Sequence, residues 1–282
     1  MALTAVMRQD TGLVRQICSF ERAINASLRA DPGINDWLYG RAGYLYILRL
    51  CRTLEDPTSS TATLVNAAIE KTVDRILVRI MIFAPQYSWH GETELDAVHG
   101  TADIICQLVL SQPSAAILSL PMLRTLLNLN ATGRFPSITK SASPDPHPQF
   151  YHRHLSFALS FAALAPLWPD LQPRIEQVVR AVKEDTWRYG LKGPCLLEGM
   201  AGYALVFGGA DEEEQARFNH FLAFMSSSEM ERRGCLREAG SNNEFGGLYT
   251  GEAGRAWVWA QAVAAATATG GRPMTCIGYN DI

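Results

Sequence analysis

The sequence predicts an all-α fold built from about five helical hairpins, and three observations carry that expectation. Apolar residues recur at helical rather than alternating spacing through most of the chain. β-branched runs with alternation are scarce. A G-x-A-(G/D) core also returns along the chain, each copy standing ahead of an apolar run of helical period.

In chain order, Leu13, Ile17, Phe20, Ile24 and Leu28 mark a first helix, which Asp31-Pro32-Gly33 ends. Gly40-Arg41-Ala42-Gly43 is the first copy of the core, and the Asp56 to Ser60 turn separates its helix from one carried by Ala67, Ile69, Val73, Ile76 and Ile80. Gly100-Thr101-Ala102-Asp103 is the second copy. The Thr132 to Pro148 stretch, with four prolines, is a loop between helices. Tyr151-His152-Arg153-His154 stands where a degenerate copy belongs, before the apolar run Leu155 to Leu167 that Pro166 and Pro169 close. Gly199-Met200-Ala201-Gly202 and Gly251-Glu252-Ala253-Gly254 complete the series. The offsets between first glycines are 60, 99 and 52, which fits a period of about 50 residues with the degenerate copy near residue 150.

The chain has 282 residues, 25 Lys+Arg against 28 Asp+Glu, a net charge of -3 and 48% apolar residues. This excludes collagen-like and disordered chains and a strongly basic nucleic-acid binder. The longest apolar run is too short to cross a bilayer. Six cysteines at wide, unequal spacing, with no C-x-x-C and no secretory signal, imply reduced thiols and a cytoplasmic protein. A single domain over residues 1–282 is expected, with no nucleic-acid or membrane partner.

Each period is long enough for an inner and an outer helix. Were the hairpins to close into a ring, the inner N-termini, with their exposed amides, would face one central mouth. The residues around the motifs then become site candidates: Tyr39, Arg41, Trp89, His90, Asp96, His99, Asp103, Tyr151, His152, His154, Glu198, Tyr249 and Glu252. For each of them, packing of the ring is the competing explanation. The aromatic residues near the motifs suit an apolar or cationic small molecule.

Trp37 to Tyr46 (WLYGRAGYLY), Trp89-His90-Gly91 through Ala97-Val98-His99-Gly100, Glu198 to Gly202 (EGMAG) and Gly278 to Asp281 (GYND) together resemble the lanthionine synthetase C-like (LanC-like) family, in its eukaryotic, fungal branch. The likeness runs from about Asp31 onward. It implies an α/α toroid, seven-repeat in the family and here shortened to its last five repeats, with a zinc ion in the family's central cavity.

The departures matter more. Tyr151 stands at the family's first cysteine ligand, and Leu197 and Glu198 replace its Cys-His pair. Tyr, Leu and Glu do not reproduce the soft ligation that activates a thiol, so no metal cofactor is expected. Cys195, two residues before Leu197, is a poor substitute because the slip points it elsewhere. A replacement metal site from His147, His152, His154 and Glu198 is the sharper alternative, against solvated or hydrogen-bonded histidines.

His99 occupies the position of the family's A-x-H-G histidine, which implies an acid or base. Asp96 and Asp103 lie at helical offsets from it, and either would fix its tautomer if the segment is helical. Glu198 would be a second acid/base or a helix-start anion, Tyr151 a donor in the vacated metal position, and Arg41 a clamp for a carboxylate or phosphate or else a buried structural pair. The resulting expectation is a metal-independent acid/base cyclase or isomerase of a small, largely apolar precursor, possible in secondary metabolism. The alternative is a non-catalytic binder of a small molecule or protein. Zinc-dependent thiol or glutathione addition is disfavoured. A homodimer would cover the open edge of a shortened ring.

Overall fold

Asp10 opens the first helix by accepting a hydrogen bond from the Leu13 amide at 3.1 Å. The computed structural model describes residues 4–5, 8–26, 35–38, 40–83, 88–89, 92–93, 100–128, 154–188, 195–196, 199–208, 211–232, 234 and 251–267. Over these residues the chain is mostly helical, and the all-α expectation holds. The helices are α1 (Thr11–Ser19), α2 (Glu21–Asn25), α3 (Arg41–Arg52), α4 (Ser60–Phe83), α5 (Thr101–Ser111), α6 (Ala116–Asn128), α7 (His154–Leu164), α8 (Gln172–Arg188), α9 (Met200–Val206), α10 (Glu212–Phe224), α11 (Ser227–Arg232) and α12 (Glu252–Thr267). One two-residue antiparallel pairing joins β1 (Ser88–Trp89) to β2 (Glu92–Thr93).

The single helix expected over Leu13 to Leu28 is two helices. The Phe20 amide bonds back only three residues, to the Ile17 carbonyl at 3.2 Å, which tightens the turn and ends α1 there. Leu28 lies outside the described residues. The Asp56 break is present: the Asp56 carboxylate accepts from the Thr58 amide at 2.8 Å and its hydroxyl at 2.7 Å. Ser59 Oγ then caps α4 by accepting from the Ala62 amide at 2.9 Å. The apolar run after His154 forms α7 and stops in short 3-10 turns over Ala165–Leu167 and Pro169–Leu171. No helix among the described residues is long and apolar enough to cross a membrane.

The packing is pairwise and sequential. α3 packs on α4, α5 on α6, α7 on α8 and α9 on α10. The first helices of these pairs also touch one another, α3 on α5, α5 on α7 and α7 on α9, and α12 continues the row against α9. α1 and α2 lie on α4.

Residues on α5 from Thr101 to Val109 are all buried, and on α7 so are Leu155, Phe157, Phe161 and Leu164. That is what helices apolar nearly all round require when flanked on both sides. α3 and α5 run in the same direction, because advancing along both keeps them in contact. Arg49 Nη1 reaches Gln107 Oε1 at 3.4 Å, and Arg52 Nη1 reaches the Ser111 carbonyl at 3.0 Å.

Candidate functional site

Three helices of the row begin in the same way. Gly40 (φ -119, ψ -164), Gly100 (φ -105, ψ -177) and Gly199 (φ -128, ψ -175) cap α3, α5 and α9 in matching extended conformations. The carbonyl of each glycine accepts the first helical bond, from Tyr44, Ile104 and Tyr203 at 3.2 to 3.3 Å. None of the three receives a side-chain cap. By contrast, α1, α4 and α10 are capped by Asp10, Ser59 and Asp211. Since α3 and α5 are parallel, their glycine caps lie toward one end of the row.

Gly43 shows why the core motif needs a small residue. A Cβ there would sit 2.0 Å from the Trp37 carbonyl oxygen, and the Gly43 amide points at the Asp36 carbonyl at 3.4 Å. At Gly43 it is the chain's own preceding turn that lies on the helix. Trp37, nearly buried, then leans on Tyr46 with ring centroids 6.5 Å apart.

Arg41 begins α3 but turns inward. Only 1% of it is exposed, its Nε donates to Asn25 Oδ1 at 3.2 Å, and its Nη1 donates to Asn35 Oδ1 at 2.9 Å. Asn25 in turn donates to Glu21 Oε1 at 3.1 Å and Thr72 Oγ1 at 3.0 Å. The guanidinium thus ties α2, α4 and the 35–38 turn to α3. Its burial and the two asparagine oxygens fit the structural role weighed for Arg41, with Glu21 one bond further on through Asn25.

Asp103 is fully buried in the first turn of α5. Its Oδ1 accepts from Gln107 Nε2 at 3.3 Å, and Gln107 Oε1 accepts from Arg49, whose guanidinium also lies 5.9 Å from the Tyr46 ring. Beside this chain sits the Cys106 thiol. Burial holds it well above its ordinary value, the Asp103 charge adds to that, and Arg49 opposes it. Asp103 is 0% exposed, which suits a part played through its neighbours.

Trp89 lies in β1. His154 is the first residue of α7. Tyr39, His90, Asp96, His99, Tyr151, His152, Glu198 and Tyr249 lie outside the described residues, as do His147 and Leu197. In the sequence, however, Tyr39, His99 and Glu198 each immediately precede one of the three capping glycines. Cys195 is half-buried, five residues ahead of Met200, where α9 begins. No group of three or more His, Cys, Asp or Glu able to hold a metal occurs among the described residues.

Arg49 and Gln107 were not anticipated. Their signal was present, since each is a polar residue inside an apolar helical stretch, Leu45 to Cys51 and Ile104 to Leu110. Neither a protein-family model nor a curated protein matches this sequence.

Proposed function

We propose that this is a LanC-like α/α toroid that works without the family's zinc, as an acid/base cyclase or isomerase of a small, largely apolar precursor. In this proposal α3, α5, α7, α9 and α12 are the inner helices and their partners the outer ones. His99 moves the proton, Asp96 orients it, Glu198 supplies a second acid/base or charge-stabilising group, and Tyr151 donates from the vacated metal position. Tyr39, Trp89, His90, His152 and Tyr249 line the mouth. Asp103 is a positioning residue, acting from its buried place on α5.

The observation that carries the proposal is the repeated glycine cap. Tyr39, His99 and Glu198 are bonded directly to Gly40, Gly100 and Gly199, whose helices start alike and lack side-chain caps. Equivalent backbone geometry at equivalent points of a packed row favours convergence of the three preceding residues. The positive ends of these helices nearby would stabilise developing negative charge.

A second possibility, a non-catalytic binder, is favoured by a different observation: Arg41 and Asp103 are both buried and bonded within the protein. One experiment separates the two. The purified protein is incubated with a metabolite extract and the small molecules are followed by untargeted mass spectrometry beside a His99→Ala control. A compound converted by the parent and not by the variant supports the enzyme. A compound retained unchanged by both supports the binder.

A further inference from the structure

Between α11 and the start of α12 lies a cleft of about 490 Å³, lined by Ser226, Ser227, Glu252, Arg255, Ala256 and Trp259. That size is within the range of small-molecule sites. Its polar atoms are unequally used. Arg255 is engaged on every nitrogen: Nε donates to Glu252 Oε2 at 2.7 Å, Nη2 pairs with the same oxygen, and Nη1 donates to the Met225 carbonyl at 2.8 Å and to Ser227 Oγ at 3.3 Å. Both contacts on Glu252 fall on Oε2, so Oε1 is left without a donor among the described residues. Ser227 Oγ accepts from Arg255, which leaves it a further lone pair, whereas Ser226 Oγ already meets the Glu229 amide and Ser228 Oγ, each at 3.4 Å. The cleft therefore offers acceptors while its cationic donor is already occupied. On the same helix face, one turn beyond Arg255, the Trp259 indole is 37% exposed.

We propose that this cleft binds a small organic ammonium ion carrying an apolar body. The ammonium donates to Glu252 Oε1 and to the Ser227 hydroxyl, and the body lies against Trp259, whose ring also attracts the charge. Arg255 holds the carboxylate in place beforehand, so little side-chain ordering accompanies binding. Because Glu252 and Arg255 are neutral as a pair, recognition rests on directed bonds and ring contact rather than net charge, and the affinity is modest. The site depends only on α11 and α12 and stands whether or not the row closes into a ring.

The test is isothermal titration of the full chain with benzylammonium, with benzyl alcohol and benzoate as probes of the same shape. Benzylammonium is expected to bind with a dissociation constant on the order of 1 mM. Glu252→Gln weakens it about tenfold and Trp259→Ala about threefold, and neither other probe binds comparably. Should Glu252→Gln not fold, Trp259→Ala and the two other probes decide alone. The proposal is overturned if benzylammonium shows no saturable binding below about 10 mM. It is equally overturned if benzyl alcohol or benzoate binds as tightly, or if binding survives undiminished in the folded variants.

Discussion

Arg49 on α3 and Gln107 on α5 meet at 3.4 Å inside the row of first helices, and Gln107 passes that contact on to the fully buried Asp103. A glutamine suits this position because one amide group both accepts from a cation and donates to a carboxylate. Gln107→Leu removes both bonds at nearly constant volume while leaving two buried charged groups with one partner fewer. A loss of about 2 kcal/mol is expected in urea denaturation. Unchanged stability would mean that other contacts of Arg49 and Asp103 suffice.

Gly43→Ala tests the close approach of Trp37. Its methyl group would have to displace backbone, not a flexible side chain, because the nearest atom is the Trp37 carbonyl oxygen at 2.0 Å. A destabilisation of about 3 kcal/mol is expected, seen as a lowered thermal midpoint.

The buried thiols predict alkaline sensitivity. Burial pushes Cys51 from 9.0 up to about 11, with nearby Cys18 and Glu55 adding to it. The unfolded chain releases this proton near pH 9 and the folded chain only near 11. The stability from keeping the thiol protonated is therefore intact below about pH 9 and lost as the pH climbs toward 11. Cys106 and Tyr44, both also raised mainly by burial, act in the same direction. Denaturation midpoints should fall across this interval, and less steeply in Cys51→Ala. A thiol reagent at neutral pH should modify half-buried Cys195 well before Cys51 and Cys106.

Arg217 joins α10 to the end of α8. It bonds Glu184 Oε1 at 2.8 Å and Glu213 Oε1 at 2.6 Å, and lies 5.2 Å from the Trp187 ring and 5.7 Å from that of Phe207. Arg217→Ala should cost about 1 to 2 kcal/mol, more than an exposed ion pair alone, because ring contact is lost with the charges. Altered tryptophan fluorescence is expected as well, with Trp187 losing its cationic cover.

Much of the fold could be read from spacing. Ile69, Val73, Ile76 and Ile80 announce α4 and are its buried face. The glycine cores announce helix starts, and Gly40, Gly100 and Gly199 are caps. Spacing failed at Phe20, where the apolar period continues although a local three-residue bond ends the helix. It also failed to separate ligand contact from burial at Arg41 and Asp103, because a polar residue near a motif has the same signature in either role. The partners Asn25 and Asn35 for one and Gln107 for the other become visible only in the fold. The cleft at Glu252, Arg255 and Trp259 depends on α11 lying beside α12, a tertiary relation that no local pattern encodes.

The central proposal is that this chain has a LanC-like architecture in which Tyr151, Leu197 and Glu198 stand where the zinc ligands would be. The most direct measurement is elemental analysis of the purified parent beside a variant carrying Tyr151→Cys, Leu197→Cys and Glu198→His. The account predicts no stoichiometric zinc in the parent and one zinc per chain in the variant. A tightly held zinc in the parent, or none in a folded variant, would contradict it.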